Sequence, residues 1–231
     1  MIRLAGLAKN SFVDYPGRIA AVVFAAGCNY DCFFCHNRAL IDAGAPPINS
    51  DQLWEMLTRR RGLLDAVVVS GGEPTLQGEG LHAFLCRVRA LGYLTKLDTN
   101  GSRPEVVGAL LRDRLLDYVA LDIKLPPARY GELGGAAAWQ PVARTLELLR
   151  TGNVPFECRT TFVPQLTMDD IAEMADAIAP IPCWALQTYR APALYKPTDR
   201  FRVLAAPHGP EDMKRAAEVA RACGGEVVVR G

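Results

Sequence analysis

Apolar and polar positions along the 231 residues alternate between two rhythms. Short unbroken apolar runs stand at Ala21–Phe24, Ala66–Val69 and Tyr118–Leu121, and between them apolar residues return every three or four positions. The first rhythm predicts strands buried on both faces, the second amphipathic helices. Strands are expected at Ala20–Ala25, Ala66–Ser70, Leu94–Asp98, Tyr118–Ile123, Phe156–Val163, Trp184–Thr188 and Glu226–Arg230. Helices are expected near Asp51–Arg60, Glu79–Leu91, Pro104–Arg112, Pro141–Arg150, Asp169–Ala179 and Pro210–Ala222. Ser50 suits an N-cap, Pro104, Pro141 and Pro210 suit early helical positions, and Gly92, Gly152 and Gly224 suit helix ends. Repeated strand-then-helix order implies right-handed crossovers and a parallel sheet, either a barrel or an open doubly wound fold. The stretch around Pro126–Gly135 is read as a loop or small insertion.

Active sites of such sheets gather at the C-terminal ends of the strands. Four polar motifs sit there. Cys28 follows the first expected strand, Gly71-Gly72-Glu73-Pro74 the second, Asp98-Thr99-Asn100-Gly101 the third and Asp122-Ile123-Lys124 the fourth. They are expected to meet in one cavity.

Composition narrows the field. Half the residues are hydrophobic, 22% are charged and the net charge is +1. That is ordinary globular composition, expected as a single domain over residues 1–231, with no basic excess for nucleic acid. No stretch reaches the roughly 20 apolar residues of a membrane span, and Met1–Lys9 lacks the features of a secretory leader. A cytoplasmic protein is expected. Three of the seven cysteines fall within Cys28–Cys35. Cys86, Cys158, Cys183 and Cys223 stand singly and are each read as a small buried hydrophobe.

The segment Gly27-Cys28-Asn29-Tyr30-Asp31-Cys32-Phe33-Phe34-Cys35-His36-Asn37 offers three thiolates close enough to hold three irons of one cubane. A fourth iron without a protein ligand can bind a chelating substrate, whereas an electron-transfer cluster normally has four cysteines. Structural zinc is the alternative, but it wants four ligands, and His36 adjoins Cys35 too closely to join the same tetrahedron. Glycines at Gly71-Gly72 let backbone approach a ligand, and Glu73 offers a carboxylate to a cation such as an ammonium. Asp98-Thr99-Asn100-Gly101 also has the composition of a turn, and Lys124 could simply be solvated. Arg159 is a charge within an apolar run, to be paired if it faces inward.

The cysteine loop resembles the CxxxCxxC motif of the radical S-adenosylmethionine superfamily, with the aromatic Phe34 before the last cysteine. Gly71-Gly72-Glu73-Pro74 resembles that superfamily's methionine-binding motif. Asp98-Thr99-Asn100-Gly101, Leu121-Asp122-Ile123-Lys124, Asp14-Tyr15-Pro16-Gly17 and Cys35-His36-Asn37 resemble segments of glycyl-radical-enzyme activating proteins. Within these the similarity is to the longer type of anaerobic ribonucleoside-triphosphate reductase activating protein.

The resemblance implies a partial (β/α)6 barrel with a cluster loop after its first strand. It implies a 4Fe–4S cluster on Cys28, Cys32 and Cys35, and S-adenosylmethionine held by Phe34, Gly71, Gly72, Glu73, Asp98, Thr99, Asp122 and Lys124. A monovalent cation near Asp122 belongs to the same expectation. Asp14, His36 and Arg159 would face the substrate, a glycine loop of a glycyl radical enzyme such as the large subunit of anaerobic ribonucleotide reductase. Asp14 and His36 are equally well read as a turn residue and a supporting hydrogen bond, and Arg159 as an outward-facing arginine. A flavodoxin or ferredoxin would supply the electron, and the 5′-deoxyadenosyl radical would take a hydrogen from glycine Cα. Where pyruvate formate-lyase activases carry a ribose-contacting histidine, Leu186–Arg190 has none, leaving Gln187 or Arg190. The rival functions are a radical enzyme acting on a small molecule, as a deazaguanine synthase does, an activase of a pyruvate formate-lyase-like enzyme, and a non-catalytic metal-binding module.

Overall fold

The computed structural model describes residues 1–41 and 45–231. Its strands are β1 (Leu4–Ser11), β2 (Ala20–Ala25), β3 (Ala66–Gly71), β4 (Leu94–Thr99), β5 (Tyr118–Asp122), β6 (Phe156–Phe162), β7 (Cys183–Thr188) and β8 (Glu226–Arg230). They form one sheet in the order β1 to β8; β1 runs antiparallel to β2, and every later pair is parallel. The sheet curls without closing, the partial barrel that was expected. Helices α1 (Ser50–Arg59), α2 (Gly78–Ala90), α3 (Pro104–Arg112), α4 (Trp139–Thr151), α5 (Met168–Ile178), α6 (Arg200–Val203) and α7 (Pro210–Ala220) complete the element order. Among the described residues no helix is long and apolar enough to cross a membrane.

The expected strands match to within one residue and the expected helices to within two. β1 is an addition. Its Leu-Ala-Gly-Leu-Ala-Lys-Asn-Ser lacks β-branched and aromatic residues, so propensity does not announce it; pairing with β2, with two register shifts, makes it a strand. At α1 the cap is Asn49, whose side chain accepts a hydrogen bond from the Gln52 backbone N–H at 3.0 Å, and Ser50 is the first helical residue. Gly92 and Gly224 end their helices with φ of +88° and +81°. Gly152 ends α4 in an extended conformation, φ −82°, and does not need to be glycine for that reason.

The period of two decides what faces inward. Ala21, Val23, Ala25, Val67 and Val69 pack into the main apolar core, with Leu57, Leu81 and Leu85 of the helices. Ala20, Val22, Ala66 and Val68 pack instead with Tyr15, beside Tyr118. This inner layer is small and apolar, and Lys96, paired in register with Tyr118, lies next to it. Any charge there depends on a partner.

Candidate active site

A cavity of about 420 Å³ opens at the C-terminal ends of β2 to β7. Cys28, Cys32, Cys35, Phe34, Gly71, Gly72, Glu73, Asp98, Thr99, Asp122, Lys124 and Arg159 all line it, as do Asp14, His36 and Gln187. All four motifs singled out in sequence are therefore brought together, although Pro74, Gly101 and Ile123 do not line the cavity. Of the two ribose candidates, Gln187 is on the cavity wall, while Arg190 is exposed and is not part of the wall. Asn100, within the third motif but given no role of its own in sequence, and Thr161 also line the cavity.

The cysteine loop is clamped at both ends. The Gly27 N–H donates to Leu40 O at 2.7 Å and the Cys28 N–H to Ile41 O at 3.2 Å. Asp31 is gripped by Arg38, at 2.9 Å, and by Lys196. The stretch expected to be a plain loop at 126–135 contains a 3₁₀ helix, Pro127–Leu133, and holds this loop from outside. Leu133 O accepts from the Asp31 N–H, Asn29 O accepts from the Ala136 N–H, and Tyr30 pairs with Gly135. Gly135, at φ +64°, lies so close that a Cβ would come within 2.3 Å of Asn29 O. The paired glycines Gly134-Gly135 were the sequence signal for this contact.

Cys32 is buried and Cys28 largely so, which pushes the Cys28 thiol up to about 11 and the Cys32 thiol to about 12. Such a site accepts thiolates only with compensating positive charge, which a metal supplies. Cys28 Sγ also accepts from the Tyr30 N–H at 3.5 Å, a contact that would stabilise a ligating thiolate. Among the described residues no three His, Cys, Asp or Glu side chains are gathered round a single ion. A cubane has no need of that, since each cysteine takes a separate iron. The donor set, three soft thiolates with His36 exposed beside them, fits a cluster with one iron left open.

The glycines of the second motif line the cavity, and they also let the turn pack against the end of β2 and the cysteine loop. A Cβ on Gly71, φ +120°, would stand 2.3 Å from Ala25 N, and one on Gly72 would stand 2.1 Å from Gly27 O. The turn is joined there by the Gly72 N–H to Ala25 O and the Glu73 N–H to Gly27 O, at 2.9 and 2.8 Å. Replacing Gly72 by Ala forces backbone apart, and overpacking of this kind costs about 1–3 kcal/mol. The expected result is a lower urea midpoint together with poorer iron loading; unchanged loading would show that the two loops are independent.

Glu73 is fully buried. Oε1 accepts from Thr75 N, Thr75 Oγ1 and Thr99 Oγ1 at 3.0, 2.5 and 2.8 Å, and Oε2 from Asn100 N at 2.6 Å. Burial raises its carboxyl above the usual range, and the donors work against that rise. The carboxylate thus ties the ends of β3 and β4 together. Asn100 extends the tie, its Nδ2 donating to Asn29 Oδ1 at 3.0 Å in the cysteine loop.

Beside it runs a chain of five charges, buried at Lys96 and Asp98 and part-buried at Arg159, Asp122 and Lys124. Lys96 Nζ is 2.7 Å from Asp98 Oδ1, and Arg159 Nη1 is 3.1 Å from Asp98 Oδ2. Arg159 also reaches Asp122 Oδ1 at 2.9 Å, and Lys124 Nζ is 3.2 Å from Asp122 Oδ2. Burial alone would raise both aspartates, but Arg159 with Lys96 or Lys124 outweighs it and holds them below the carboxylate range. Lys124 is pushed up, its desolvation overcome chiefly by Asp122. Arg159 thus faces inward and is paired. Lys96, 1% exposed, was missed in sequence; its spacing of two from Asp98 on a strand was the available signal.

The radical SAM superfamily model matches residues 22–178. The chain belongs to the radical S-adenosylmethionine superfamily. This radical S-adenosylmethionine enzyme is 30% identical over 233 residues to a protein of Methanocaldococcus jannaschii named as a candidate glycyl-radical enzyme activating enzyme. The match covers 98% of this chain and 95% of the relative. It is 32% identical to the pyruvate formate-lyase-activating enzyme of Listeria monocytogenes, over 74% of this chain and 73% of that one. The enzyme accordingly falls in the glycyl-radical enzyme activating family, whose superfamily implies a 4Fe–4S cluster and S-adenosylmethionine. Its fold is shared with Streptococcus suis SuiB bound to S-adenosylmethionine, with a TM-score of 0.69 and 16% identity, over 89% of this chain and 48% of that one.

Of the four scattered cysteines, Cys158 and Cys223 are buried as expected and Cys183 is half-buried. Cys86 is exposed, against expectation. Helix α2 buries Leu81, Phe84, Leu85 and Val88, which leaves Cys86 on its outer face.

Proposed function

We propose that this activating enzyme generates the glycyl radical of an anaerobic ribonucleoside-triphosphate reductase. The observation that carries this reading is the wall of the cavity. The three cysteines, the Glu73 turn and the aspartate–lysine pairs share it with Asp14 and His36, from the two segments that resemble the reductase activases. When bound, the cluster and S-adenosylmethionine supply a 5′-deoxyadenosyl radical.

The residues of the chain divide the remaining work. Cys28, Cys32 and Cys35 hold the cluster. Lys124 receives the methionine carboxylate and Asp98 the amino group, a mixed-sign pocket for a ligand of mixed charge. Phe34 supplies apolar wall for the adenine, and Gln187 faces the ribose. Glu73 acts by holding Thr99 and Asn100 in place. Asp14 and His36 meet the incoming glycine loop and help to exclude water, so that Cα sits in reach of C5′. The four carboxylate oxygens of Asp98 and Asp122 are already matched by Lys96, Arg159 and Lys124. Each of those oxygens keeps a lone pair for a further donor, as the methionine ammonium at Asp98 requires, and no monovalent cation enters this reading.

The test is anaerobic cluster reconstitution, reduction by flavodoxin or ferredoxin, and measurement of 5′-deoxyadenosine. Adding the reductase large subunit should then give a glycyl-radical EPR doublet, with equal yield in potassium or tetramethylammonium buffer. A doublet on pyruvate formate-lyase alone would reassign the partner. Nucleoside formation without a doublet on either would point to a small-molecule substrate.

A further inference from the structure

On the outer face of α2, away from the cavity, three side chains form a relay that the radical chemistry does not use. Cys86 Sγ lies 3.7 Å from His82 Nδ1, and His82 Nε2 lies 2.7 Å from Asp113 Oδ2, at the end of α3. His82 and Cys86 are four residues apart, so the helix stacks one above the other on the same face. One tautomer satisfies both contacts. With the proton on Nε2, the ring donates to Asp113 and presents the Nδ1 lone pair to the thiol S–H. Nucleophile, base and orienting carboxylate thus stand in the order that activates a thiol. The Cys86 side is exposed, and the His82 and Asp113 side chains are 39% and 54% exposed. Cys86 lines neither the active-site cavity nor the groove between the N-terminus and helices α1 and α2, and its exposure suits a small diffusing reagent.

We propose that Cys86 is a modification site, a thiol that exchanges with low-molecular-weight disulfides to form a mixed disulfide. The S–H proton passes to His82 Nδ1. The Cys86 thiolate attacks one sulfur of the disulfide, a new S–S bond forms, and the old one breaks. The second half leaves as a thiolate and takes the proton back from His82. Cys86 is oxidised, the released thiol is reduced, and no other reagent is needed. Cys183 provides an internal contrast. It is half-buried near Glu157, and its thiol is raised to about 11, chiefly by burial, which leaves little thiolate to react.

The holoenzyme would be incubated anaerobically with oxidised glutathione, and the sites of modification mapped by mass spectrometry over time. Cys86 should react at least about tenfold faster than Cys183. His82→Gln, which retains a hydrogen-bonding side chain but no base, should slow Cys86 by about tenfold. Asp113→Asn should slow it by a smaller factor and serves if His82→Gln does not fold. Cys86→Ser should remove the fast site and leave 5′-deoxyadenosine formation unchanged. Cys86 reacting no faster than Cys183, or both relay variants reacting like the parent, would overturn the proposal.

Discussion

No 5′-deoxyadenosine should form when any one of Cys28, Cys32 or Cys35 is replaced by alanine. The argument is stoichiometric. In a three-cysteine site each thiolate takes one iron, and the loop has no substitute donor in position, because His36 is exposed and the other four cysteines lie elsewhere. The loop itself should survive, since it is clamped chiefly through backbone groups of Gly27, Cys28, Asn29 and Asp31, with Cys28 Sγ adding only its contact with the Tyr30 N–H. The variants should therefore fold, lose most of their iron and sulfide, and give no product by chromatography. Cys223→Ala separates the two effects. It opens a void in the core, where Cys223 is fully buried, so it should lower stability while the cluster and its product persist. A loop variant that kept both cluster and turnover would remove that cysteine from the ligand set.

Arg159→Met should be among the most destabilising single changes in the protein. Arg159 bridges the carboxylates of Asp98 and Asp122, and without it each keeps only one lysine, Lys96 or Lys124; the full loss of a partner from a buried pair, about 3–5 kcal/mol, is therefore the upper bound. Lys96→Met should cost less, since Asp98 then retains Arg159. The sign with pH follows from Asp98 and Asp122, both held below their unfolded range. Their contribution is fully present above the unfolded value, about 3.9, and is lost as pH falls through the lower folded values. The gap between wild type and Arg159→Met should thus be full at neutral pH and narrow in acid, once the carboxylates that have lost Arg159 protonate. Urea unfolding at pH 7 and near pH 4 measures both. A gap unchanged between the two would mean that packing, not charge, explains the loss.

Much of this architecture could be read from the chain. β2 was placed to the residue because its unbroken apolar run suits a strand covered on both faces, and β8 because three valines of high strand propensity stand between two charges. The convergence of Cys28, Glu73, Asp98 and Lys124 followed from topology alone, since strand ends of a parallel sheet share one rim. What escaped was decided by tertiary contacts. β1 is a strand through its pairing with β2, not through its composition. Gly71 and Gly72 are glycines because one backbone crosses another there, which no local pattern reveals. Cys86 and His82 carry a visible i, i+4 spacing, but Asp113 reaches them only through the packing of α2 beside α3.

A sheet that curls without closing has two free margins, and β8 forms one of them. Its Glu-Val-Val-Val-Arg is a short segment of high strand propensity, with Val229 49% exposed. Unpaired backbone on such a margin is a template for another copy of the same strand. The flanking charges act as gatekeepers against that self-templating, and they are not equally free to do so. Arg230 is committed to Glu157 at 2.6 Å, whereas Glu226 is exposed. Resistance to edge-to-edge aggregation at this margin therefore falls mainly to Glu226.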